Sequence, residues 1–285
     1  MPGRESDRAR TALAAERHFV RTLGGFVLGI AGAELVTHER IPIPRFNFVQ
    51  VAGVDRGRQS AFFERALDHY FQRALRPTFR VPIPEAEHVR AGLVRFGFRP
   101  RPHPIVLLIG EPERVPPPPT DLLVRSATNA ELDEVVGLVV GEAGRAEFRA
   151  AVDVAWHFPN PGERLDPFVA IRGGRIVSVG LRYEQAGTAG LHFITTRPGD
   201  RGQGAASALV GGAFAPESVA ANAIPFLFAD SSRLEQRLRS LGFAPALSFR
   251  EYALPPEVEL AFPPPGPPTP PRWRPPRNLS GRQAT

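Results

Sequence analysis

Apolar side chains along this chain recur at two spacings, and the switches between them mark out its elements. Over residues 10–23 the positions Leu13, Ala14, Phe19 and Leu23 predict a helix with one buried face. Residues 26–30 and 33–36 read as strands joined by a glycine-bearing link, and 46–54 (FNFVQVAGV) alternates as a third strand. Residues 60–73 return to the helical period, 79–81 form a short strand, 85–96 a helix, and 105–109 a buried strand. The charged residues 1–10 read as loose.

A second run of elements follows. Residues 122–125 read as a strand, 129–140 as a helix through Leu132, Val135, Val136 and Val139, and 146–157 as another helix. Residues 168–171 and 176–183 pair as a hairpin across Arg172-Gly173-Gly174-Arg175, where the glycines supply the turn. A second turn, 185–190, leads into a strand at 191–196 and then an alanine-rich helix. A strand at 226–229, a helix at 232–240 stopped by Gly242 and a last strand at 248–254 complete the run. Between the two runs lies EPERVPPPPT (111–120), whose four consecutive prolines cannot continue a helix or a central strand. The domains expected are therefore 1–112, a linker at 113–120, 121–254, and a proline-dense tail at 255–285 that cannot build a packed core. In that tail Trp273, between Arg272 and Arg274, reads as a docking element or as tail without function.

Composition narrows the classes. A chain of 285 residues has room for two domains with cores of their own. It has no cysteine, so disulfides, thiolate metal sites and cysteine nucleophiles are excluded, and no metal site is expected. No 18-residue apolar run predicts a membrane span, the N-terminus lacks the charged-then-apolar order of a secretory signal, and a cytoplasmic location is expected. The net charge of +6 is carried by arginine alone, since there is no lysine. Those arginines are spread through helices, turns and tail, as a GC-rich coding bias would leave them, and do not cluster as a nucleic-acid surface would.

The chemistry concentrates in LHFITTRPGDRGQGAASALV, residues 191–210. A strand, a tight turn and a glycine-bearing corner feed a helix whose first turn leaves backbone N–H groups without partners. Small residues there let a phosphate approach the backbone closely. The stretch reads as a pyrophosphate cradle, although Gly204 alone also suits a plain helix-start glycine.

The element order over 121–254 resembles that of the GNAT acyltransferases. Pro198, Arg201, Gly204 and Ala206 are similar to that family's acyl-CoA pyrophosphate signature, and RLEQRLRSLGF (233–243) is similar to its second motif, a helix ending in Leu-Gly-Phe. The first half echoes the plan: DRGRQSA (55–61) aligns with DRGQGAA (200–206), and LVRFGF (93–98) parallels LRSLGF (238–243). The resemblance implies an α+β fold, a mixed and mostly antiparallel central sheet flanked by helices, with two similar domains in tandem. Gln59 stands where Gly204 does and would crowd a phosphate, so the first copy is expected not to hold cofactor. The other reading of the first half is an unrelated α+β domain that happens to place Gly-Phe before a strand.

The resemblance further implies acetyl-CoA as co-substrate and transfer of its acetyl group to a primary amine, on a small molecule or a peptide, by direct attack. Ile194, Thr195 and Thr196 would meet the pantetheine arm through their backbone, and Arg201, Gly202, Gln203, Gly204, Ala205, Ala206 and Ser207 would receive the pyrophosphate. His192 shares a strand face with Ile194 and Thr196 by alternation, and imidazole titrates near neutrality. Arylalkylamine members of the family place a histidine there that helps deprotonate the substrate, so His192 is a candidate base; it also suits a half-buried strand residue. Tyr183 and Glu184 are further candidates for base or substrate contact, Glu184 being equally readable as a solvated turn residue. His157 reads as a helix end with a possible place on the substrate side.

Two departures stand out. Leu238 falls where the family often has a tyrosine that returns a proton to the leaving thiolate, and Ser231 replaces a common asparagine. The proton would then come from water, Tyr252 or Ser232. With the degenerate first half, these departures also allow a regulatory module that binds acyl-CoA without transferring it.

Overall fold

The computed structural model describes residues 2–30, 32–110, 121–141, 144–215, 218–220 and 222–256. The expected linker at 113–120, and the tail with Trp273, lie outside the described residues apart from Pro255 and Pro256. The first half runs α1 (Pro2–Thr22), β1 (Phe26–Ile30), β2 (Ala33–Thr37), β3 (Phe48–Val51), α2 (Gln59–Phe71), β4 (Thr78–Pro82), α3 (Ile83–Arg95), β5 (Arg99–Pro100) and β6 (Ile105–Gly110). The second runs β7 (Leu123–Ser126), α4 (Leu132–Val140), α5 (Arg145–His157), β8 (Glu163–Arg172), β9 (Arg175–Gln185), β10 (Thr188–Thr196), α6 (Ala205–Ala213), β11 (Ile224–Ala229), α7 (Ser232–Ser240) and β12 (Phe243–Ala253).

All the strands join one sheet in the order β1-β2-β3-β4-β12-β6-β11-β10-β9-β8-β7, with β5 pairing β12 off that path. The repeat is visible in it. A hairpin, a third strand, a helix and a parallel return (β3 with β4, β10 with β11) occur in each half. The last strand of each half is exchanged: β6 pairs with β11, and β12 pairs with β4. The exchanged strands are antiparallel neighbours at the centre of the sheet. The sheet thus does not divide at the 113–120 linker, because each side of it contributes a strand to the other.

Helices α2 and α3 pack on Val49, Phe79 and Val81, and α6 and α7 on Ala189, Leu191, Leu227 and Ala229. The other face carries α4 and α5 over Val169, Val179 and Leu181, and α1 over Leu107, Ile109 and Phe226. Helix α1 begins at Pro2, not near residue 10 as the pattern predicted. Its N-terminal turns are anchored by the small residues Ala9, Ala12 and Ala15, all buried but too weakly apolar to register as periodicity. Farther along, Glu16 accepts from Arg80 of β4 at 2.7 Å, and Arg80 also faces Glu251 of β12 at 3.5 Å. That guanidinium is buried, stacks over Phe48 at 3.7 Å, and ties α1 to the strand exchange. No helix among the described residues is long and apolar enough to cross a membrane.

Candidate active site

Strands β10 and β11 are bonded only where Thr188, Ala189 and Gly190 face Ile224, Pro225 and Phe226. Beyond Gly190 they part. The register of β10 on β9 shifts between His192 and Thr195, and Phe193 takes a positive φ of 56°, the signature of a bulge that bends the strand away. A gap opens beside Ile194, Thr195 and Thr196, while β11 continues to bond β6 on its far side.

Below the gap the chain makes a one-turn coil at Pro198–Asp200 and then reaches Gly202 and Gly204, with φ of 81° and 86°. Only glycine takes such angles without strain, so both are required by the turn. Asp200 is buried, and both its oxygens accept from Arg175 at 3.0 Å, which braces the coil from beneath. Gly204 caps α6 without a side chain, so the helix gives no acceptor to the N–H groups of Ala205, Ala206 and Ser207.

These groups form one wall of a cleft of about 850 Å³, with Ile194, Thr195, Thr196, Arg201, Gly202 and Gly204. The opposite wall is Ser231 and helix α7, through Arg233, Leu234, Gln236, Arg237 and Ser240. Of the residues expected to hold the cofactor, Gln203 alone is not in the lining. Its amide donates to Gly199 O at 3.0 Å, and Arg172 donates to its side-chain and main-chain oxygens at 2.9 and 3.0 Å. It stiffens the turn from outside. A polyanion suits this lining: an uncapped helix start, left-handed glycines that leave the backbone bare, and arginines on both walls.

His192 is not in that lining. The residue is 7% exposed, its ring lies stacked on Phe19 of α1 and meets Phe226 edge-on, and its Nε2 has no hydrogen-bond partner among the described residues. Burial, reinforced by the charge of Arg45, pushes its pKa down to about 3. A general base works best near the operating pH, and this imidazole is far from it. Alternation placed it on a common face with Ile194 and Thr196, but the bulge between them ends the alternation.

Tyr183 and Glu184 stand at the opposite end of β9, in register with Gly190 and Ala189, and the structure does not bring them to the cleft. Tyr183 is buried, its hydroxyl 3.0 Å from Thr22 Oγ, and desolvation raises its pKa. Glu184 is mostly buried beside the Arg182 guanidinium at 3.1 Å, so it is not a solvated turn residue. Tyr252 is buried in the first half's core with its hydroxyl on Ala86 O at 3.4 Å, far from any thiolate in the cleft. Leu238 is buried as well, while Ser231 lines the cleft and caps α7 by accepting from Leu234 N at 3.3 Å. His157 ends α5, its ring stacked on Trp156.

The side of the split opposite α6 is covered by the first half. Phe46, from the segment between β2 and β3, meets Phe193 and Phe148, and Pro42 approaches Gly144 ahead of α5. Asn47 holds the segment by donating to Ile41 O and Ile43 O at 2.9 and 3.2 Å. Arg45 lies over the Phe193 ring and pairs at 3.2 Å with Asp230, the residue that follows β11. Neither Arg45 nor Asp230 carries a local sequence signal; the packing of one half on the other brings them together, with Asp230 next in the chain to Ser231 of the cleft wall. In the first half, Gln59 begins α2 and donates to His88 O at 3.1 Å, beside a cavity of only about 280 Å³.

No protein-family model and no curated protein matches the chain. Among solved structures, a GCN5-related N-acetyltransferase from Kribbella flavida is similar over 86% of this chain and 95% of its own, with a TM-score of 0.59 at 18% identity. A GCN5-related N-acetyltransferase from Sphaerobacter thermophilus covers 81% and 80%, with a TM-score of 0.58 at 17% identity. A tandem GNAT protein from the clavulanic acid biosynthesis pathway covers 77% of each chain, with a TM-score of 0.51 at 14% identity. At such identities the likeness is one of fold, and it covers both halves.

Proposed function

We propose that this chain, which has the GNAT fold in tandem form, is an N-acetyltransferase that moves an acetyl group from acetyl-CoA to a primary amine. The observation that carries the reading is the uncapped start of α6 opening onto the split between β10 and β11, in a cleft of about 850 Å³ where the first half has a cavity of about 280 Å³. Gly202, Gly204, Ala205, Ala206 and Ser207 would hold the pyrophosphate through main-chain N–H groups. Ile194, Thr195 and Thr196 would bond the pantetheine arm along the free edge of β10, as an added strand does. Acetyl-CoA supplies an activated acetyl group; the protein supplies position and charge.

The amine would meet that group on the side closed by the first half. Asp230 offers a carboxylate for an incoming ammonium, and Arg45 occupies that carboxylate in the free protein. With His192 neutral and enclosed, we assign the ammonium proton to water at this half-exposed rim. The first half then serves as the acceptor wall and holds no cofactor. The acceptor is a small molecule or a peptide, and a cytoplasmic location accords with use of a coenzyme A thioester.

The buried His192 and the apolar Leu238 favour a second reading, a module that holds acetyl-CoA without transferring from it. Thiol release from acetyl-CoA over a panel of amines separates the two. Amine-dependent release above the rate without protein supports the enzyme. Binding of acetyl-CoA with no release for any amine supports the module.

A further inference from the structure

The cradle accounts for one end of the cleft and leaves two arginines unexplained. Arg233 and Arg237 stand one turn apart on α7, both on the cleft wall. Arg237 reaches across, its Nε donating to Ser207 Oγ at 2.6 Å, so its side chain is already held over the start of α6. Arg233 brings an Nη to within 3.8 Å of where a Cβ on Gly202 would sit. Neither makes an ion pair among the described residues. The single carboxylate in the lining, Asp200, is buried and engaged by Arg175. Glu235, on the same helix, is taken by Arg239 at 2.7 Å.

Like charges one turn apart repel each other; Arg237, in the last turn, suits the helix C-terminus, but Arg233, in the first turn, has no such compensation. The first half provides an internal control. Its LVRFGF stretch sets His88 and Gly92 at the positions of Arg233 and Arg237. A Cβ at Gly92 would come within 2.4 Å of the Phe63 ring, so that helix packs tightly where α7 carries an arginine. The arginines thus accompany the intact cradle and are absent from the degenerate one.

The helix start and Arg201 suffice for a pyrophosphate. From Arg233 and Arg237 we infer a second phosphate site, for a phosphate monoester carried on the nucleoside end of the same ligand. This rests on the coenzyme A reading above, and it assigns to these two residues the 3′-phosphate that distinguishes coenzyme A from dephospho-coenzyme A. Two guanidiniums converging on one dianion form charge-assisted bonds stronger than neutral ones, and Arg237 is pre-positioned by Ser207.

The test is calorimetric and needs no turnover. Coenzyme A and dephospho-coenzyme A are titrated into the full chain and into the double variant Arg233→Gln, Arg237→Gln. The wild-type chain is expected to bind coenzyme A at least about tenfold more tightly, the factor of one charge-assisted hydrogen bond. In the variant that ratio falls to near one, coenzyme A losing more than dephospho-coenzyme A, whose continued saturable binding also shows that the variant is folded. Equal affinities in the wild type, or an unchanged ratio in the variant, overturn the second phosphate site and leave the coenzyme A reading standing. Failure of both ligands to bind the wild type overturns both.

Discussion

The imidazole of His192 lies flat on the phenyl ring of Phe19, with centroids 4.1 Å apart and ring planes 7° apart. One ring comes from a strand of the second half and the other from the first helix of the chain. The contact buries the histidine and, with the charge of Arg45, holds its pKa at about 3. Its place in the protein is therefore set by a helix packed across the sheet.

That burial has a consequence for stability. His69 is held at about 4, chiefly by burial, and burial also lowers His38. Unfolded histidines titrate near 6.5, so as pH falls below that value the unfolded chain takes up protons that the native one refuses. Stability is expected to be flat above pH 7 and to fall from about pH 6.5 down to about pH 3. Glu131, held at about 2 chiefly by Arg125, adds a loss of the same sign only below about 4.5. Urea midpoints measured at pH 7.5, 6 and 5 check this, and His192→Phe should shallow the slope. A midpoint that rises on acidification would contradict it.

The Arg80 network yields a second expectation. Glu16→Gln leaves a buried guanidinium short of one carboxylate, between α1 and the exchanged strand β12. Breaking one partner of a buried pair costs about 3–5 kcal/mol. Denaturant unfolding should show a loss in that range; a loss under about 1 kcal/mol would mean that α1 is not fastened there.

The acceptor role proposed for the Arg45–Asp230 pair can be tested apart from cofactor binding. Asp230→Asn is expected to raise KM for amines about tenfold or more, the worth of one charge-assisted bond, while the acetyl-CoA binding constant stays within about twofold. Arg45→Ala, which frees the carboxylate, should lower that KM. Steady-state kinetics alongside calorimetry check both. Equal damage to amine and acetyl-CoA binding from Asp230→Asn would place the residue in the structure of the cleft and not at its acceptor end.

The local elements and the glycine-marked start of α6 were legible because each is set by neighbours in the chain. Gly204, Ala205 and Ala206 mark a helix start that any phosphate could approach, and the Leu-Gly-Phe run after α7 carries the resemblance on which the coenzyme A reading rests. The strand exchange was not legible: Ile105–Gly110 reads as a buried strand whichever half it joins, because period two says nothing about partners. His192 followed the alternation rule until the bulge at Phe193, whose positive φ has no marker in the residue type. Arg45 and Asp230, 185 positions apart, meet only through the fold. The start of α1 was not legible because the first buried contacts described on it are made by Ala9, Ala12 and Ala15.

The central claim is that the start of α6 holds the pyrophosphate of acetyl-CoA. Titration of acetyl-CoA into the full chain, compared with Gly204→Glu, tests it most directly. A carboxylate at the cap repels the phosphates, and any Cβ strains a backbone at φ 86°. Saturable binding with one equivalent is expected for the wild-type chain, and a loss of at least about a hundredfold in the variant, two charge-assisted bonds' worth. No binding by the wild type, or an equal constant in both, would contradict it.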